Sequence, residues 1–340
     1  MMNLPKISIV IPSFNQGKFL EETILSIVNQ QYPNLELFVI DGGSTDNSID
    51  VIKKHEQHFT WWISEKDKGQ SEAINKGFAK ATGEIVSWLC SDDLLMPGSL
   101  QIVASHFLSL PENVGLIHGG AVIFESDKTI ETRFTYQIPN REAYLSGMVF
   151  PQPAAFFRKS WVEKVGYLDE ELHYGMDYDL FMRLALVCDF SAVDTVFARY
   201  RLHSQSKSVA ESNRFITDWK KSFVNLCKNL RWTDQLEFLK KTGMYKKELS
   251  YFHTFSFIPK VEIVSAINKN KAICFQLGHV LKDLYWTGKR KDARDLMKLL
   301  RQNFPWDWLK QDQRLIIVLK KLSLPEFILV AMKKITRIFK

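Results

Sequence analysis

The chain has 340 residues, of which 46% are hydrophobic and 24% charged, as in a soluble globular protein with one large or two ordinary domains. Its four cysteines stand far apart without a Cys-x-x-Cys spacing, which argues against a disulfide framework and a structural zinc site and indicates a reducing compartment. The net charge of +7 is uneven: residues 211–340 hold 27 basic and 12 acidic side chains, whereas residues 1–210 hold 18 and 26, which points to two regions with different partners.

The first 100 residues alternate between short, β-branched apolar runs and segments with helical spacing of apolar side chains. We predict four strands, over residues 7–11, 35–40, 61–63 and 85–89. Helices are predicted between them, over residues 19–30, 48–57 and 71–80. Strands and helices that alternate in this rhythm indicate an α/β fold, a Rossmann-like and mostly parallel sheet with helices on both faces.

Polar residues follow each predicted strand at its carboxyl end. They are Pro12-Ser13-Phe14-Asn15, Asp41-Gly42-Gly43, Glu65-Lys66-Asp67 and Ser91-Asp92-Asp93. Because ligands bind at the carboxyl ends of strands in parallel sheets, we expect these four loops to line one crevice. Loops are polar in most proteins, so a single one would mean little, but the four together favour a binding site.

The rest of the chain divides near residue 208. Short strands are predicted over residues 116–118, 122–124 and 154–157, and a helix over residues 180–187. Long helical patterns follow, over residues 223–239, 272–287 and 292–300. We therefore predict one domain over residues 1–208 and a basic, helical C-terminal region over residues 209–340.

The pair Asp92-Asp93 follows a buried strand and precedes the turn Met96-Pro97-Gly98. Two adjacent carboxylates repel each other unless a cation lies beside them. Their oxygens suit Mg²⁺ or Mn²⁺, which bind one or two carboxylates together with substrate phosphates and assist a departing diphosphate. The alternative is a solvated helix start, since aspartate is common near helix N-caps.

Seven segments around this pair match one known family in order and spacing. They are Ile9-Val10-Ile11-Pro12-Ser13-Phe14-Asn15, Ser26-Ile27-Val28-Asn29-Gln30, Val39-Ile40-Asp41-Gly42-Gly43-Ser44-Thr45-Asp46, Asp67-Lys68-Gly69-Gln70, Ala73-Ile74-Asn75-Lys76-Gly77, Ala81-Thr82-Gly83-Glu84-Ile85 and Trp88-Leu89-Cys90-Ser91-Asp92-Asp93. The chain here resembles the inverting family 2 glycosyltransferases of the GT-A fold, of the kind found in bacterial polysaccharide or glycolipid synthesis. The resemblance implies metal-assisted transfer of a sugar from a nucleoside diphosphate sugar, usually UDP-linked, to a hydroxyl acceptor.

The resemblance also implies a set of nucleotide contacts. These are Pro12, Ser13, Asn15, Asp41, Gly42, Gly43, Asp67, Lys68, Asn75, Lys76 and Asp92. Asp41 resembles the aspartate that binds the nucleobase, and the glycines after it let the backbone approach closely. Asp92 and Asp93 match the family's DXD-type element, with Asp93 as the expected metal ligand. Many relatives have a further aspartate where this chain has Cys90, so this chain offers one carboxylate ligand fewer.

A second acidic segment, residues 174–180, matches the place where the family has an acidic pair at a helix start. One aspartate of that pair is the general base that removes the proton from the acceptor hydroxyl. Alignment on the Asp-Leu-x-x-Arg run places the base at Asp177, and Met176 replaces the usual glutamate. Asp179 is the competing candidate, although its spacing favours a cap or a partner of Arg183. The alternative for both is a first-turn acid stabilised by the helix dipole.

Further candidates complete the expected site. Gln152 lies in a segment that the resemblance places beside the acceptor cleft, where it would contact the donor sugar or the acceptor, with a purely structural strand as the alternative. His203 would be a third metal ligand or a structural histidine. Arg201 or Lys207 would hold the diphosphate.

The last segment, residues 325–340, has the pattern of a basic amphipathic helix, as found on anionic membrane surfaces. The resemblance implies a glycan or lipid-linked acceptor, so we expect contact with the inner face of the plasma membrane. The alternative is a helix packed on the catalytic domain. The N-terminus leads directly into a strand without room for a signal peptide, and nothing approaches the ~20 apolar residues of a membrane span, so we expect a cytoplasmic protein.

The sequence also bears on three other functions. A sugar nucleotidyltransferase needs a glycine-rich, basic phosphate loop after the first strand, and Pro12-Ser13-Phe14-Asn15-Gln16 is not one. A non-catalytic nucleotide-sugar-binding or scaffold protein on the same fold stays open because of Cys90 and Met176. Nucleic-acid binding is disfavoured, since the basic surplus lies in helices without a binding motif.

Overall fold

The computed structural model describes residues 4–207 and 211–323, with only the backbone of Ser212 and Asn213. Its strands are β1 (Ile7–Ser13), β2 (Leu35–Asp41), β3 (Trp61–Ser64), β4 (Ile85–Trp88), β5 (Leu94–Leu95), β6 (Val114–Glu125), β7 (Lys128–Arg133), β8 (Ala155–Arg158) and β9 (Asp189–Arg201). The helices up to β9 are α1 (Gly17–Val28), α2 (Ser48–Lys54), α3 (Gln70–Lys80), α4 (Ser99–Ser109), α5 (Arg141–Ser146), α6 (Lys159–Val165) and α7 (Met176–Leu184).

The helical C-terminal region follows β9. It contains α8 (Ser212–Asn229), α9 (Thr233–Lys241), α10 (Val261–Ala266), α11 (Lys269–Trp286), α12 (Arg290–Asn303), α13 (Trp306–Leu309) and α14 (Gln313–Leu322). No helix in the described part of the chain is long and apolar enough to cross a membrane. The predicted amphipathic helix over residues 325–340 lies outside the described residues.

The strands form one sheet in the order β3-β2-β1-β4-β8-β6-β9-β5, with β7 paired to β6. Strands β3, β2, β1 and β4 are mutually parallel, which confirms the parallel sheet predicted for the first 100 residues. Strand β8 runs antiparallel to β4 and β6, whereas β6 and β9 are parallel. Every residue of β1 is buried, as expected for a central strand covered by helices on both faces.

The structure corrects several element boundaries. Residues 116–118 and 122–124 belong to one strand, β6, which continues through Gly119. A Cβ atom at Gly119 would come within 2.4 Å of Phe197, so glycine lets this part of the sheet pack closely. The predicted helix over residues 223–239 is two helices, separated where Arg231 adopts a φ of 53°. The helix predicted over residues 180–187 begins earlier and ends earlier, as α7.

Helix α7 is held by a buried ion pair. Arg183 Nε lies 2.7 Å from Asp179 Oδ2, and both side chains are under 10% exposed. The guanidinium also donates to the carbonyl oxygens of Val165 and Tyr167, each at 2.6 Å. These bonds confirm the prediction that Asp179 is a structural partner of Arg183, and they fix the direction of the helix that carries Asp177.

One apolar cluster joins the sheet to the helical C-terminal region. It contains Val10 and Trp88 of the sheet together with Phe223, Trp232 and Leu277 of the later helices. The division predicted near residue 208 therefore falls between elements that share a core. All four cysteines are free.

Helix α3 packs closely on β1 through a glycine. A Cβ atom at Gly77 would lie 2.5 and 2.6 Å from the two methyl groups of Val10. Because valine is branched at Cβ and this one is fully buried, neither methyl can move aside easily. The glycine thus sets the distance between α3 and the sheet, and with it the position of Gln70 at the start of the helix.

We expect Gly77→Ala to lower the free energy of unfolding by about 1–2 kcal/mol, because overpacking outweighs the gain in helix propensity. Gly278→Ala, in α11, is the matched control, since its Cβ would meet only Leu315 Cδ2, at 3.0 Å. That variant should keep the stability of the parent or gain up to about 1 kcal/mol. Urea denaturation followed by circular dichroism measures both, and equal stability of the two variants would contradict the packing argument.

Candidate active site

The loops that follow the parallel strands meet at one edge of the sheet, as predicted. Gly42 N donates to Ser13 O at 2.9 Å, and Asn15 N donates to Ser44 Oγ at 2.8 Å, so the loops after β1 and β2 are joined. Ser64 Oγ, at the end of β3, donates to Asp41 Oδ2 at 2.7 Å. The crevice floor is therefore a hydrogen-bonded unit and not a set of independent loops.

Asp41 is the anchor of this unit. Its side chain is fully buried, and its oxygens accept from the N–H groups of Gly43 and Ser44, at 3.1 and 2.8 Å, as well as from two serine hydroxyls. Gly43 has a φ of +81°, a conformation that favours glycine. The bonds show Asp41 shaping the turn, while its expected contact with the nucleobase stays a prediction.

Asp67 lies against the backbone of the same turn. A Cβ atom at Gly42 would come within 2.8 Å of Asp67 Oδ2, so only glycine lets the two loops approach this closely. Burial raises the pKa of the Asp67 carboxyl, although the N–H of Gly69 donates to it at 2.9 Å. Lys68, the next residue, is exposed at the crevice edge.

The other residues expected at the nucleotide differ in their surroundings. Pro12 and Ser13 are buried, and Ser13 Oγ has no hydrogen-bond partner among the described residues. Asn75 uses both ends of its amide to hold the backbone of Leu168, at 3.0 Å each. Lys76 forms ion pairs with two glutamates at 2.8 and 2.9 Å, which raise its pKa to about 12. Asn75 and Lys76 thus connect elements that surround the crevice.

The loop after β4 brings together donor atoms for a metal ion. Single ligand atoms of Cys90, Asp92 and Asp93 lie within 4.8 Å of one another. His203 Nε2 lies 2.9 Å from Asp92 Oδ2. Cys90, Asp92 and Asp93 form a cluster, called the metal cluster below, of one sulfur and two carboxylates, and His203 lies beside it. Because two adjacent carboxylates favour a nearby cation, and thiolates and carboxylates are both common ligands, this donor set fits a divalent ion.

The two aspartates of the metal cluster occupy different positions. Asp92 and His203 keep 16% and 14% of their side-chain surface exposed. Asp93 is only 1% exposed, and its Oδ1 accepts from Arg201 N at 2.9 Å. Burial, and then the charge of Asp92, raise the pKa of Asp93 well above its usual range. Asp92 is therefore the more accessible carboxylate, and Asp93 the one tied to the protein backbone.

Arg201 anchors the loop that carries the metal cluster. Its Nε donates to Asp92 O at 2.8 Å, and its Nη2 forms an ion pair with Glu22. The guanidinium also lies over the rings of Phe19 and Phe124, with its Cζ at 4.8 and 4.5 Å from their centres. The side chain is 7% exposed. Its expected contact with the diphosphate stays a prediction, whereas its role in tying β9 to the loop after β4 is visible.

Asp177 lies in the first turn of α7 and is half-buried. Burial raises the pKa of its carboxyl to about 6, even though the N–H of Tyr178 donates to Oδ1 at 2.7 Å and the charge of Lys207 opposes the shift. Met176 beside it is buried, with Sδ 2.9 Å from Ser71 Oγ, so the residue in place of the family's glutamate packs into the core.

Lys207 lies close enough to Asp177 and to Cys90 for their charges to interact. Its Nζ donates to Gln70 Oε1 and to His173 O, each at 3.2 Å. Its charge interacts with the groups of Cys90, Asp177 and Asp67. A cation near an aspartate and a group of metal ligands is suited to hold a diphosphate or a sugar bound to one.

Two glutamines complete the wall around Cys90. Gln152 is 9% exposed, with Nε2 at 3.0 Å from Trp88 O and Oε1 at 4.0 Å from Cys90 Sγ. Gln70 Nε2 donates to Cys90 Sγ at 3.1 Å. The sequence did not single out Gln70 as a site residue, although it ends one of the matching segments. Its significance depends on a contact across 20 positions, which no local pattern reveals.

The model of the family described as glycosyl transferase family 2 matches residues 8–166. An uncharacterised glycosyltransferase of Mycobacterium tuberculosis is 31% identical over 204 residues, which are 59% of this chain and 76% of that protein. The chondroitin synthase of Escherichia coli is 25% identical over 211 residues, 62% of this chain but only 31% of the synthase.

Among solved structures, S. aureus TarS 1–349 in complex with UDP-GlcNAc superposes with a TM-score of 0.53 at 16% identity. The match covers 86% of this chain and 83% of that one, which supports the predicted GT-A fold. The strand order, the metal cluster and the matching relatives agree with the resemblance drawn from the sequence. The chain belongs to glycosyl transferase family 2 and is a glycosyltransferase.

Proposed function

We propose that the protein transfers a sugar from a nucleoside diphosphate sugar, such as a UDP-sugar, to a hydroxyl group of a glycan or lipid-linked acceptor, with inversion at the anomeric carbon. The observation that carries the proposal is the half-buried Asp177, whose pKa is raised to about 6 and whose charge interacts with Lys207 beside the metal cluster. The UDP-GlcNAc bound to TarS, a protein of similar fold, supports a nucleotide sugar as donor.

The donor would occupy the crevice between the strand-end loops and the metal cluster. The turn held by Asp41, with Gly42, Gly43 and Asp67, would receive the nucleotide. Asp92, Asp93 and His203 would hold a divalent cation, which supplies neutralising charge to the departing diphosphate. Of the two aspartates, Asp92 would be the more direct ligand, because Asp93 Oδ1 already accepts from Arg201 N. Lys207 adds a second positive charge near the diphosphate.

Asp177 would accept the proton of the acceptor hydroxyl as that oxygen attacks the anomeric carbon. A carboxylate with a pKa of about 6 is mostly ionised at pH 7, yet it is more basic than an ordinary aspartate. Gln152 beside Cys90 would lie near the transferred sugar. Asp179 would not compete for this role, since its carboxylate pairs with Arg183.

A donor screen with three variants tests the proposal. Purified protein is incubated with a panel of nucleotide sugars, Mn²⁺ or Mg²⁺ and simple glycoside acceptors, and released nucleoside diphosphate is measured. We expect turnover of at least one donor, and a fall in kcat of about 10²–10⁴-fold in Asp177→Asn, because the base is lost. Asp92→Asn should weaken metal-dependent turnover, whereas Asp194→Asn, an exposed aspartate of β9, is the control. Wild-type activity in Asp177→Asn would rule out that residue as the base.

The pH dependence gives a second prediction. The raised pKa of Asp177 means that its carboxylate is protonated below about pH 6, so kcat/KM should fall roughly tenfold per pH unit below that value. The same limb should persist in Asp194→Asn and disappear from the residual activity of Asp177→Asn. A wild-type profile that stays flat down to pH 5 would contradict the assignment.

We also propose, from the sequence alone, that residues 325–340 bring the enzyme to the cytoplasmic face of a membrane with an anionic surface. Deletion of these residues should move the protein from the vesicle pellet to the supernatant in sedimentation with anionic phospholipid vesicles. Two controls accompany the deletion. The full chain should bind less to neutral vesicles than to anionic ones, and the variant with Lys333, Lys334 and Arg337 replaced by glutamine should bind less to anionic vesicles than the full chain does. Unchanged sedimentation after deletion would end the proposal.

A further inference from the structure

The metal cluster includes a sulfur atom among its donors. Cys90 Sγ lies within 4.8 Å of a carboxylate oxygen of Asp92 and of Asp93, and His203 Nε2 is 2.9 Å from Asp92 Oδ2. We propose that Cys90 is a direct metal ligand and makes this site selective for a transition ion such as Zn²⁺ or Co²⁺ over Mg²⁺. The inference rests on the proposed function only in taking this cluster to be the metal site.

The surroundings of Cys90 suit a thiolate. Lys207 Nζ donates to Gln70 Oε1 at 3.2 Å, and this bond turns the opposite end of the amide, Nε2, toward Cys90 Sγ at 3.1 Å. The sulfur thus receives an N–H donor whose orientation is set by a neighbouring cation. Outer contacts of this kind hold a ligand in place and stabilise its charged form. Gln70 and Lys207 would therefore be positioning residues for the metal ligand.

An ordinary cysteine thiol is mostly protonated at pH 7. When an ion binds, the S–H bond breaks, a sulfur–metal bond forms and the proton leaves to solvent. Two carboxylates and one thiolate around a divalent ion leave far less uncompensated negative charge than they do without it. The two carboxylates and the thiolate therefore favour binding of a divalent ion together.

The donor types decide which ion binds best. Mg²⁺ prefers oxygen ligands in a regular octahedron and does not bind thiolate well. Zn²⁺ and Co²⁺ accept mixed sets of sulfur, imidazole and carboxylate. An aspartate at position 90 would give three carboxylates and a site for hard ions. The cysteine turns the preference toward softer ions.

Cobalt spectroscopy tests the proposal on the full chain. Protein freed of metal by a chelator is titrated with CoCl₂, and the near-ultraviolet sulfur-to-cobalt charge-transfer band is recorded. We expect the band in the wild type, its loss in Cys90→Ser and its retention in Cys188→Ser, a control in which the buried sulfur contacts Leu184 O at 3.4 Å. Zn²⁺ should abolish the band, whereas Mg²⁺ at similar concentration should leave it.

Calorimetric titration with ZnCl₂ and MgCl₂ adds a second measurement that needs no turnover. We expect Cys90→Asp to lower the ratio of Zn²⁺ to Mg²⁺ affinity by more than about tenfold. Replacing a residue that only contacts a metal ligand typically changes metal affinity by at least about this factor, so replacing a direct ligand should change it more. A folded Cys90→Asp protein that binds Mg²⁺ also shows that the site survived the substitution. An unchanged ratio, or a charge-transfer band that persists in Cys90→Ser, would overturn the proposal.

The outcomes separate this inference from the proposed function. Sugar transfer without a sulfur–cobalt band would leave the glycosyl transfer in place and remove Cys90 as a ligand. A band that depends on Cys90, in a protein that turns over no nucleotide sugar, would support Cys90 as a ligand and count against the proposed sugar transfer.

Discussion

The candidate active site depends on the connection between the end of β9 and the loop after β4. Arg201 N donates to Asp93 Oδ1, and Arg201 Nε donates to Asp92 O, across more than 100 positions of sequence. The arginine is in turn held by Glu22 and by two aromatic rings. The arginine side chain is buried while Glu22 is largely exposed, and hydrogen bonds to or from a charged group are stronger than neutral ones. It brings His203 to Asp92 and places Lys207 on the same side of the crevice.

A second constraint fixes the other wall. Helix α7 carries Asp177 in its first turn, and the pair of Asp179 with Arg183 binds that helix to the segment around residues 165–167. The two aspartates are only two positions apart, and burial raises the pKa of both, yet Asp179 forms an ion pair with Arg183 while Asp177 accepts from the N–H of Tyr178. Their division of roles follows from the direction of each side chain on the helix and not from chemistry, since both are the same amino acid.

The departures from the family pattern are accommodated in different ways. Met176 fills a core position beside Ser71, so the missing glutamate leaves no hole at the start of α7. Cys90 stays beside the carboxylates and receives a hydrogen bond from Gln70. The first change simplifies the acidic pair to one base, and the second alters the chemical nature of the metal cluster. Neither removes a group that the proposed transfer needs.

The sequence by itself determined the strand-helix alternation of the first 100 residues, the family and the loops that form the crevice. These depend on local hydrophobic spacing and on short segments such as residues 39–46, which is why they were predictable. The strand β9, the single long strand β6 and the break near Arg231 were not, because each is set by packing between distant elements. Only the tertiary structure decided that Asp92 is accessible and Asp93 enclosed, and that Gln70 and Lys207 surround Cys90. Burial and contacts between separate loops are properties of the folded chain, so the local sequence does not reveal them.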